Sequence, residues 1–376
     1  MRIIFLRHTP IDVDKKMYEI FCMRFDHQMT VAAETHFDDA RTMCGYNDES
    51  CVITTVYCEN QDPGLFYEGL FKMNPDALFL INGLGMAKKY QNLIRRYGVR
   101  FAVVAERDNY KHQSRWKSFL KKVFPRIQKI RYRFLIDHAS FFLCMGQSGT
   151  KCYIRYGVPK RKVFEFMYCG GETEHPPAYH TNDLTVRFLY IGRFDYDIKG
   201  VDILLKAFLN CKGDYSLDLI GGYGSKKDEI MQLIRNHPQI KCNGLWKNCE
   251  VCEKMNAYDV VVVPSKFDGW NLHNNFSILA SVACITTDQA GSDGLIKNCQ
   301  NGFVIKSNSA NQLKRAIETI LRNPEIIGEF KRKTSLYQDK ISPLSVAHYL
   351  NDILQYVFED KMGGEKPIPT WINKEG

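Results

Sequence analysis

Short apolar runs alternate with amphipathic stretches along roughly the first half of the chain. The runs MRIIFL, CVITTVY, ALFLING, RFAVVAE and SFFLCMG have the length of strands. Segments rich in Lys, Arg, Glu and Leu, a composition typical of helices, separate several of these runs. This alternation predicts a parallel sheet with helices on both sides, as in a doubly wound α/β domain.

A polar segment with two prolines and two glycines, GGETEHPPAYHTND, follows at 170–183 and predicts a linker. A second alternating series comes after it: VRFLYIG, YSLDLIGG, IKCNGL, DVVVVPS, ACITTD and GFVI. We therefore expect Rossmann-like domains at 1–175 and 184–342, a C-terminal helix at 343–360 that packs back near the N-terminal domain, and a tail at 361–376. Ligands of such sheets bind where strand carboxyl ends meet helix amino ends, so we expect the site in a cleft that the two domains face.

The composition is that of a water-soluble protein of two domains. Of the 376 residues, 45% are hydrophobic and 25% are charged, and no window approaches the ~18 apolar residues of a transmembrane helix. The amino terminus has no apolar stretch of signal-peptide length. The thirteen cysteines lack paired spacing, and the single C-x-x-C, Cys249 to Cys252, has no second pair at zinc spacing. We therefore expect a cytoplasmic protein with reduced thiols and no metal.

Positive charge is concentrated in one stretch. The net charge is +9, and residues 107–133 hold ten Lys or Arg but one acidic residue, Asp108. Within 107–135 the apolar residues recur every three or four positions, which predicts a basic amphipathic helix. Two interpretations remain open: the apolar face packs into the first domain, or it lies on an anionic membrane surface. Nucleic acid fits less well, because no known nucleic-acid-binding module is present.

The segment FLYIGRFDYDIKGVDILLKAF, at 188–208, predicts an anion site. A strand ends at Gly192, and Arg193 and Lys199 follow in a short loop before a helix. Free amides at a helix amino terminus attract anions, and the two cations strengthen that attraction. The sequence alone leaves open whether this is a diphosphate clamp or a solvated loop with two chance cations.

Two further segments place polar groups and glycines after strands. Gly221, Gly222 and Gly224 follow one strand, where a backbone without side chains allows close approach to a ligand. In the segment 259–296 a buried strand runs into Pro-Ser and then into Asp268, which precedes a predicted helix.

These three segments, in this order, resemble glycosyltransferase family 4, whose members are retaining, nucleotide-sugar-dependent enzymes of the GT-B fold. The family pattern is Gly-Arg, Lys-Gly before a helix, a Gly-rich strand end, a strand ending in Pro-Ser, and a loop with two glutamates separated by seven residues. The resemblance covers residues 186–325 well and 140–166 more thinly, and it implies two Rossmann-like doubly wound domains.

The resemblance also implies residue roles. Arg193 and Lys199 hold the donor diphosphate, and Asp268, in the place of the first glutamate, binds a hydroxyl of the donor sugar. Amides of Gly269, Trp270 and Asn271 line the sugar and phosphate. The expected donor-binding residues are Gly192, Gly222, Gly269, Trp270, Asn271, Leu272, Asn275 and Phe276.

The second glutamate of the family, which binds the nucleotide ribose, is missing here. Its position is Phe276, which cannot accept a hydrogen bond. Losing one charged hydrogen bond costs about 1.5–3 kcal/mol, which weakens binding without abolishing it. Three explanations remain open: Asn274 or Asn275 replaces the glutamate, the donor is unusual, or the chain is a weak catalyst.

The first strand ends in Leu6-Arg7-His8, as in histidine phosphatases. Those enzymes need a second, late histidine, usually next to glycine, and none of the ten histidines here has a glycine neighbour. Arg7 and His8 therefore mark a strand end at the predicted cleft, as does Glu106, the last residue of RFAVVAE. Whether these residues bind a ligand or only border the cleft stays open.

The resulting hypothesis is a retaining hexosyltransferase. The resemblance implies a nucleotide-sugar donor, a glycan or polyprenyl-linked acceptor, and a role in surface polysaccharide or lipopolysaccharide synthesis. It requires no cofactor, and the basic stretch suggests peripheral attachment to the inner face of the cytoplasmic membrane. The alternatives are a non-catalytic or regulatory GT-B protein and a nucleotide-sugar epimerase.

Overall fold

The structure is a computed structural model that describes residues 1–47, 49–108, 125–170, 185–221, 223–359 and 364–373. The chain divides into two compact units. The first comprises Met1–Cys169 and Pro343–Thr370, and the second comprises Gly170–Ser342 and Trp371–Gly376. The predicted linker beyond Gly170 and most of the basic stretch fall outside the described residues, as do Gly222 and parts of the predicted tail.

The first unit is built on a parallel sheet of seven strands in the order β3-β2-β1-β4-β5-β6-β7. The strands are β1 Arg2–Arg7, β2 Gln28–Ala33, β3 Thr54–Tyr57, β4 Leu78–Asn82, β5 Arg100–Ala105, β6 Phe142–Met145 and β7 Val163–Phe166. The described helices are α1 Lys15–Phe25, α2 Asp39–Met43, α3 Pro63–Met73, α4 Leu84–Lys89, α5 Gln91–Tyr97, α6 Pro125–Arg131, α7 Arg133–His138, α8 Gly146–Arg155 and, at the end of the chain, α16 Pro343–Phe358. The strand β2, with sequence QMTVAA, is absent from the predicted series because Gln28 and Thr30 interrupt its apolar pattern.

Helix α16 completes the first unit by packing on α1. The Phe25 ring meets His348 edge to face with centroids 5.0 Å apart, and His27 Nε2 lies 3.3 Å from Asn351 Oδ1. Its apolar face supplies Val346, Leu350 and Ile353 to the interior, where all three are buried. Burial of such a face is what stabilises a helix of this length in water.

The second unit contains a parallel sheet of six strands in the order β10-β9-β8-β11-β12-β13. The strands are β8 Val186–Ile191, β9 Tyr215–Ile220, β10 Ile240–Cys242, β11 Val260–Val263, β12 Ala283–Thr287 and β13 Gly302–Ile305. The helices are α9 Val201–Phe208, α10 Lys227–Ile234, α11 Val251–Met255, α12 Leu272–Leu279, α13 Asp293–Cys299, α14 Ala310–Arg322 and α15 Glu325–Ser335. Short 3-10 turns lie at Lys160–Lys162 in the first unit, and at Asn248–Glu250 and Asp339–Ile341 in the second.

Each sheet is covered on its faces by helices, and each unit has its own apolar core. In the second unit Phe188, Leu217 and Val260 of the strands pack with Leu204 of α9 and Ile317 of α14. These side chains are almost fully buried, as expected for parallel strands with helices on both sides. The structure therefore confirms the predicted α/β class with two Rossmann-like doubly wound domains.

Two physical findings bear on the environment of the protein. Within the part of the chain that the structure describes, no helix combines the length and the apolar character that crossing a membrane requires. All thirteen cysteines are free thiols, seven of them buried, including Cys252 of the C-x-x-C pair.

Candidate active site

The loops at the carboxyl end of the second sheet contact one another backbone to backbone. Gly221, after β9, has φ +153°, and a Cβ atom there would lie 2.0 Å from the carbonyl oxygen of Gly192. Gly200, the residue before α9, has φ +69°, and a Cβ atom there would lie 2.3 Å from the carbonyl oxygen of Pro264. Only glycine fits both the conformation and the space, which explains the glycines at positions 200 and 221.

The loop after β12 locks the loop that carries Asp268. The Asp268 amide donates to the Gln289 carbonyl at 2.8 Å, and the Asn271 amide donates to the Ala290 carbonyl at 3.0 Å. A Cβ atom on Gly291, at φ +79°, would lie 2.1 Å from the Gly269 carbonyl oxygen. The Asn271 amide, which the sequence predicts to line the sugar and phosphate, thus already has an acceptor inside the protein.

Lys199 and Asp268 form the central ion pair of this edge. Lys199 Nζ lies 2.6 Å from Asp268 Oδ2, and the two side chains are 21% and 16% exposed. The Asn271 side-chain amide donates to the same oxygen at 3.0 Å. The sequence predicted that Lys199 binds the diphosphate and that Asp268 binds the sugar, and the structure places these two side chains in contact.

Arg193 is the second predicted cation, and its guanidinium is largely open to solvent. The side chain is 47% exposed, and Nη2 lies 3.8 Å from Asp195 Oδ2, beyond hydrogen-bond length. Its carbonyl accepts a hydrogen bond of 2.8 Å from the buried Tyr190 hydroxyl, which fixes the loop. A fixed backbone with a loosely held guanidinium is suited to binding an anion.

Helix α12 begins beside the ion pair and presents free amides. Asn271 caps it by accepting from the His273 amide at 3.0 Å, an interaction typical of helix amino termini. Among the described residues, no acceptor meets the amides of Gly269, Trp270 or Leu272. These three donors, with the helix dipole, make a second group of anion-binding contacts.

Phe276 is part of the interior of α12. Its side chain is 3% exposed, and its ring packs on the backbone of Gly170. A Cβ atom added to Gly170 would lie only 2.8 Å from the Phe276 ring. Phe276 therefore fills the position of the family's second glutamate with packed apolar surface.

The structure contradicts the interpretation that Asn274 or Asn275 replaces the missing glutamate. Both side chains are fully buried. Asn274 Nδ2 donates to Thr286 Oγ1 at 3.1 Å and to Ser292 Oγ at 3.0 Å, which ties α12 to its neighbours. Asn275 Oδ1 accepts from the Trp270 indole at 3.0 Å, so both the indole and this amide oxygen hold the loop in place.

His273 is a residue of this edge that sequence reasoning missed. Its ring is influenced electrostatically by Lys199 and Asp268 and lies 6.1 Å from the Phe276 ring, centroid to centroid. Burial, and next the Lys199 cation, lower its pKa to about 4, whereas Asp268 opposes that shift. The imidazole is therefore neutral at physiological pH. Its position at the start of a helix after a buried strand was the available signal in the sequence.

The carboxyl end of the first sheet carries a separate polar cluster. Arg7 ends β1, and Asp14, buried before α1, accepts a hydrogen bond of 2.8 Å from the Cys169 amide. Burial raises the pKa of Asp14 to about 7, although that amide and the Arg7 cation lower it. Glu106 follows β5 and is hydrogen-bonded to the Tyr168 hydroxyl, which also interacts with Arg7 and Asp14. The structure thus brings Arg7 and Glu106 into one cluster, and sequence reasoning missed Asp14 and Tyr168.

His8 belongs to an adjoining network on the same edge. Its Nδ1 lies 2.9 Å from Glu34 Oε2, and Glu34 Oε1 also accepts from the Tyr90 hydroxyl at 2.5 Å. Lys89 Nζ lies 3.3 Å from the same oxygen, and the hydrogen bonds and this cation together lower the pKa of Glu34 against the opposing effect of burial. His8 itself is well exposed and accessible to a ligand.

The described end of the basic stretch exposes apolar side chains. In α6 Ile127 is 48% exposed and Ile130 is 75% exposed, with the exposed cations Lys129 and Arg131 beside them. For these two isoleucines the interpretation that the apolar face packs into the first domain is wrong. The remainder of the stretch, including Lys121 and Lys122, lies outside the described residues.

No group of three or more His, Cys, Asp or Glu side chains suited to a metal ion lies together among the residues that the structure describes.

Comparison with known proteins points to one family for part of the chain. Residues 185–323 match the family model for glycosyl transferases group 1, and this match falls within the second unit. The chain is 30% identical over 139 residues to one uncharacterized glycosyltransferase of Methanocaldococcus jannaschii and 25% identical over 150 residues to another. Each alignment covers 37% of this chain, and the chain spans only 39% and 36% of the lengths of these relatives.

Solved structures resemble nearly the whole chain. The lipopolysaccharide outer core galactosyltransferase WaaB, in its apo form, matches with a TM-score of 0.68 at 12% identity and covers 96% of this chain and 100% of its own. HepE from Anabaena, in complex with UDP, gives a TM-score of 0.73 at 13% identity with coverage of 94% and 100%. Sucrose-phosphate synthase from Thermosynechococcus elongatus gives 0.70 at 16% identity with coverage of 96% and 100%. These likenesses show that the chain has the GT-B fold.

Proposed function

We propose that the chain is a glycosyltransferase that moves a hexose from a nucleotide-sugar donor to a glycan or lipid-linked acceptor with retention of configuration. The observation that carries the proposal is the Lys199–Asp268 pair, 2.6 Å long, beside the amides of Gly269, Trp270 and Leu272 at the start of α12. This arrangement offers a cation and backbone donors to a diphosphate, and a carboxylate to a sugar hydroxyl. The match of residues 185–323 to glycosyl transferases group 1 supports it.

In the proposed reaction the leaving group is the diphosphate. The bond from the anomeric carbon to the diphosphate oxygen breaks, and its electron pair stays on that oxygen. The acceptor hydroxyl oxygen forms the new bond on the same face of the sugar, and its proton passes to the departing diphosphate. Lys199, Arg193 and the amides of Gly269 and Trp270 stabilise the developing charge, which is the main source of acceleration in such sites. Asp268 orients the sugar through a hydroxyl.

We assign acceptor recognition to the polar cluster on the first sheet. Arg7, His8 and Glu106 offer a cation, an exposed imidazole and a carboxylate, which are groups that bind the hydroxyls or acidic substituents of a glycan. The wide range of proteins with this fold, from WaaB to sucrose-phosphate synthase, means that the fold does not select the acceptor. A role in surface polysaccharide or lipopolysaccharide synthesis is part of the proposal.

Release of nucleoside diphosphate tests the activity. Wild-type protein should release UDP, GDP, ADP or CDP from a matching nucleotide hexose when given an acceptor, and Lys199→Met should reduce the rate at least tenfold. Asp259→Asn is the control, because Asp259 pairs with Lys331 at the amino end of the same sheet and should leave the rate unchanged. No release from any donor, together with no nucleotide binding, would refute the enzyme hypothesis.

One observation favours the alternative of a non-catalytic or regulatory GT-B protein. Phe276 replaces a carboxylate with a packed ring, which removes a hydrogen-bond acceptor for the nucleotide. Such a protein would bind nucleotide sugars in calorimetry without releasing nucleoside diphosphate. An epimerase would convert the sugar without net transfer to an acceptor, which product analysis distinguishes.

We also propose peripheral attachment to an anionic membrane, at the inner face of the cytoplasmic membrane. The exposed Ile127 and Ile130 lie beside Lys129 and Arg131, a combination suited to the surface of anionic lipid. Ile130→Ser with Arg131→Gln should reduce co-sedimentation with phosphatidylglycerol vesicles. Leu65→Ser is the control, because Leu65 is an exposed apolar residue on α3, with an exposure between those of Ile127 and Ile130. Binding that neither these changes nor salt affects would contradict the attachment.

A further inference from the structure

His273 lies where a nucleotide-binding group is missing. It sits three residues before Phe276 on α12, so both side chains project from the same face of the helix. Their rings are 6.1 Å apart between centroids, at an angle of 59°. Phe276 offers no oxygen atom to a ligand, and the His273 imidazole is therefore the nearest polar group on the same face of α12.

The surroundings of His273 belong to the proposed donor site. Its ring interacts electrostatically with Lys199 and Asp268, the central ion pair. Its backbone amide is already used by the Asn271 cap, at 3.0 Å. Among the described residues neither ring nitrogen of His273 has a hydrogen-bond partner, and both nitrogens are accessible to solvent. The ring nitrogens are thus held beside the ion pair and remain open to a ligand.

We propose that His273 accepts a hydrogen bond from a ribose hydroxyl of the bound nucleotide, in the role that a carboxylate at position 276 would otherwise have. The inference rests on the proposed function, because it assumes that Lys199 holds the diphosphate of that nucleotide. With the diphosphate at Lys199, the next group along the nucleotide is the ribose. The next polar side chain along α12 from its amino terminus, beyond the Asn271 cap, is His273.

The chemistry of the ring fits this assignment. A neutral imidazole has one nitrogen that accepts and one that donates, whereas a charged imidazolium only donates. Burial and the neighbouring Lys199 cation lower the pKa of His273 to about 4, so the acceptor nitrogen persists at neutral pH. A neutral acceptor makes a weaker hydrogen bond than a carboxylate, and this predicts a moderate affinity for nucleotide.

Calorimetry with nucleotides that differ in one hydroxyl tests the assignment. ADP, CDP, GDP and UDP are first compared with wild-type protein, and the one that binds best is then compared with its 2′-deoxy and 3′-deoxy forms. Wild type should bind one deoxy form about three- to tenfold more weakly. His273→Ala should bind the parent nucleotide more weakly by the same factor and should no longer discriminate against that deoxy form.

Two variants sharpen the result. His273→Gln keeps an acceptor oxygen and should recover part of the discrimination. His237→Ala is the matched control, because His237 precedes β10 at the amino end of the same sheet and should change nothing. If His273→Ala does not fold, the imidazole resonances of wild type give the answer, since His273 should respond to the parent nucleotide differently from the deoxy form.

The assignment is overturned if His273→Ala weakens the parent and both deoxy forms equally, or if it weakens inorganic pyrophosphate as much. Either result would put His273 at the phosphates instead of the ribose. If wild type binds none of the four nucleotides, the proposed function itself fails, and the assignment fails with it. Binding by wild type without discrimination among the hydroxyls overturns the assignment alone.

Discussion

Replacing Asp268 by Asn should tighten the binding of a nucleoside diphosphate while it slows turnover. In the free protein Lys199 Nζ lies 2.6 Å from Asp268 Oδ2, so the cation proposed for the diphosphate is already engaged. A nucleotide must draw Lys199 away from this carboxylate. Asp268→Asn removes the competing charge and keeps the shape of the side chain, so Lys199 becomes available at lower cost.

The size of the effect follows from the strength of the pair. A hydrogen bond to a charged group contributes about 1.5–3 kcal/mol, and Asp268→Asn keeps the charged donor but removes the attraction between the two opposite charges. Both side chains are partly exposed, so solvent screens the pair and we expect a gain of about 1–2 kcal/mol, or about five- to thirtyfold in affinity. Turnover should fall at least tenfold, because the carboxylate that orients the donor sugar is lost.

A double-mutant cycle measures the effect. Calorimetry with the nucleoside diphosphate that wild type binds gives the affinity of Asp268→Asn, Lys199→Met and the double variant. Lys199→Met alone should weaken binding at least tenfold, and Asp268→Asn should bring no gain in its presence. Asp259→Asn changes the net charge by the same amount at the amino end of the sheet and should leave the affinity unchanged.

Two results would refute this reasoning. If Asp268→Asn weakens the nucleoside diphosphate, Asp268 supports the diphosphate site instead of competing with it. If Asp268→Asn tightens binding equally with and without Lys199, the gain is a general charge effect, and Asp268 does not compete with the diphosphate for Lys199. Thermal unfolding of each variant shows whether the fold is retained.

Three further changes test other parts of the account. Phe276→Glu should lower the free energy of unfolding by more than ~2 kcal/mol, since its carboxylate would be buried against Gly170; a stable variant with tighter nucleotide binding would contradict this. Asp14→Asn should flatten the pH dependence of stability, because the pKa of Asp14 is about 7 in the folded protein and 3.8 in the unfolded chain. Wild type should therefore lose about 4 kcal/mol of unfolding free energy, measured in urea, as the pH rises from 3.8 to 7. An equal slope in both proteins would exclude Asp14 as the cause. Turnover should persist in excess EDTA, because cations and amides meet the diphosphate charge; a loss that Mg²⁺ or Mn²⁺ restores would show a metal requirement.

The hydrophobic pattern was sufficient to predict the second sheet. All six of its strands lie in the predicted series, and β11, with the sequence VVVV, is the continuous apolar run expected of a parallel strand that is covered on both faces. The strand β2 escaped prediction because its polar Gln28 and Thr30 break such a run, and only pairing with β1 and β3 reveals it. Pattern thus identifies strands dominated by large apolar side chains, including β9 with its polar Ser216 and Asp218, and it misses β2, whose large apolar side chains are only Met29 and Val31.

The site was predictable as a set of residues but not as a set of contacts. The sequence singled out Lys199 and Asp268 because each lies between a strand and a helix. Their pairing depends on how two loops, 69 residues apart in the chain, meet through glycines. The burial of Asn275 was also not predictable, because a helical pattern does not show whether a polar side chain on the helix is buried or exposed. The one signal for His273 in the sequence is its position at the start of a predicted helix after a buried strand, and its place beside the ion pair appears only once α12 is positioned.

The position of a bound nucleoside diphosphate tests the central claim most directly. In a crystal structure of the complex, the diphosphate should lie at the carboxyl end of the second sheet. Lys199 Nζ should leave Asp268 and lie about 2.7–2.9 Å from a phosphate oxygen, with the amides of Gly269 and Trp270 directed at the same group. A nucleotide bound elsewhere, or a Lys199–Asp268 pair that stays intact with the diphosphate out of reach, would contradict the account.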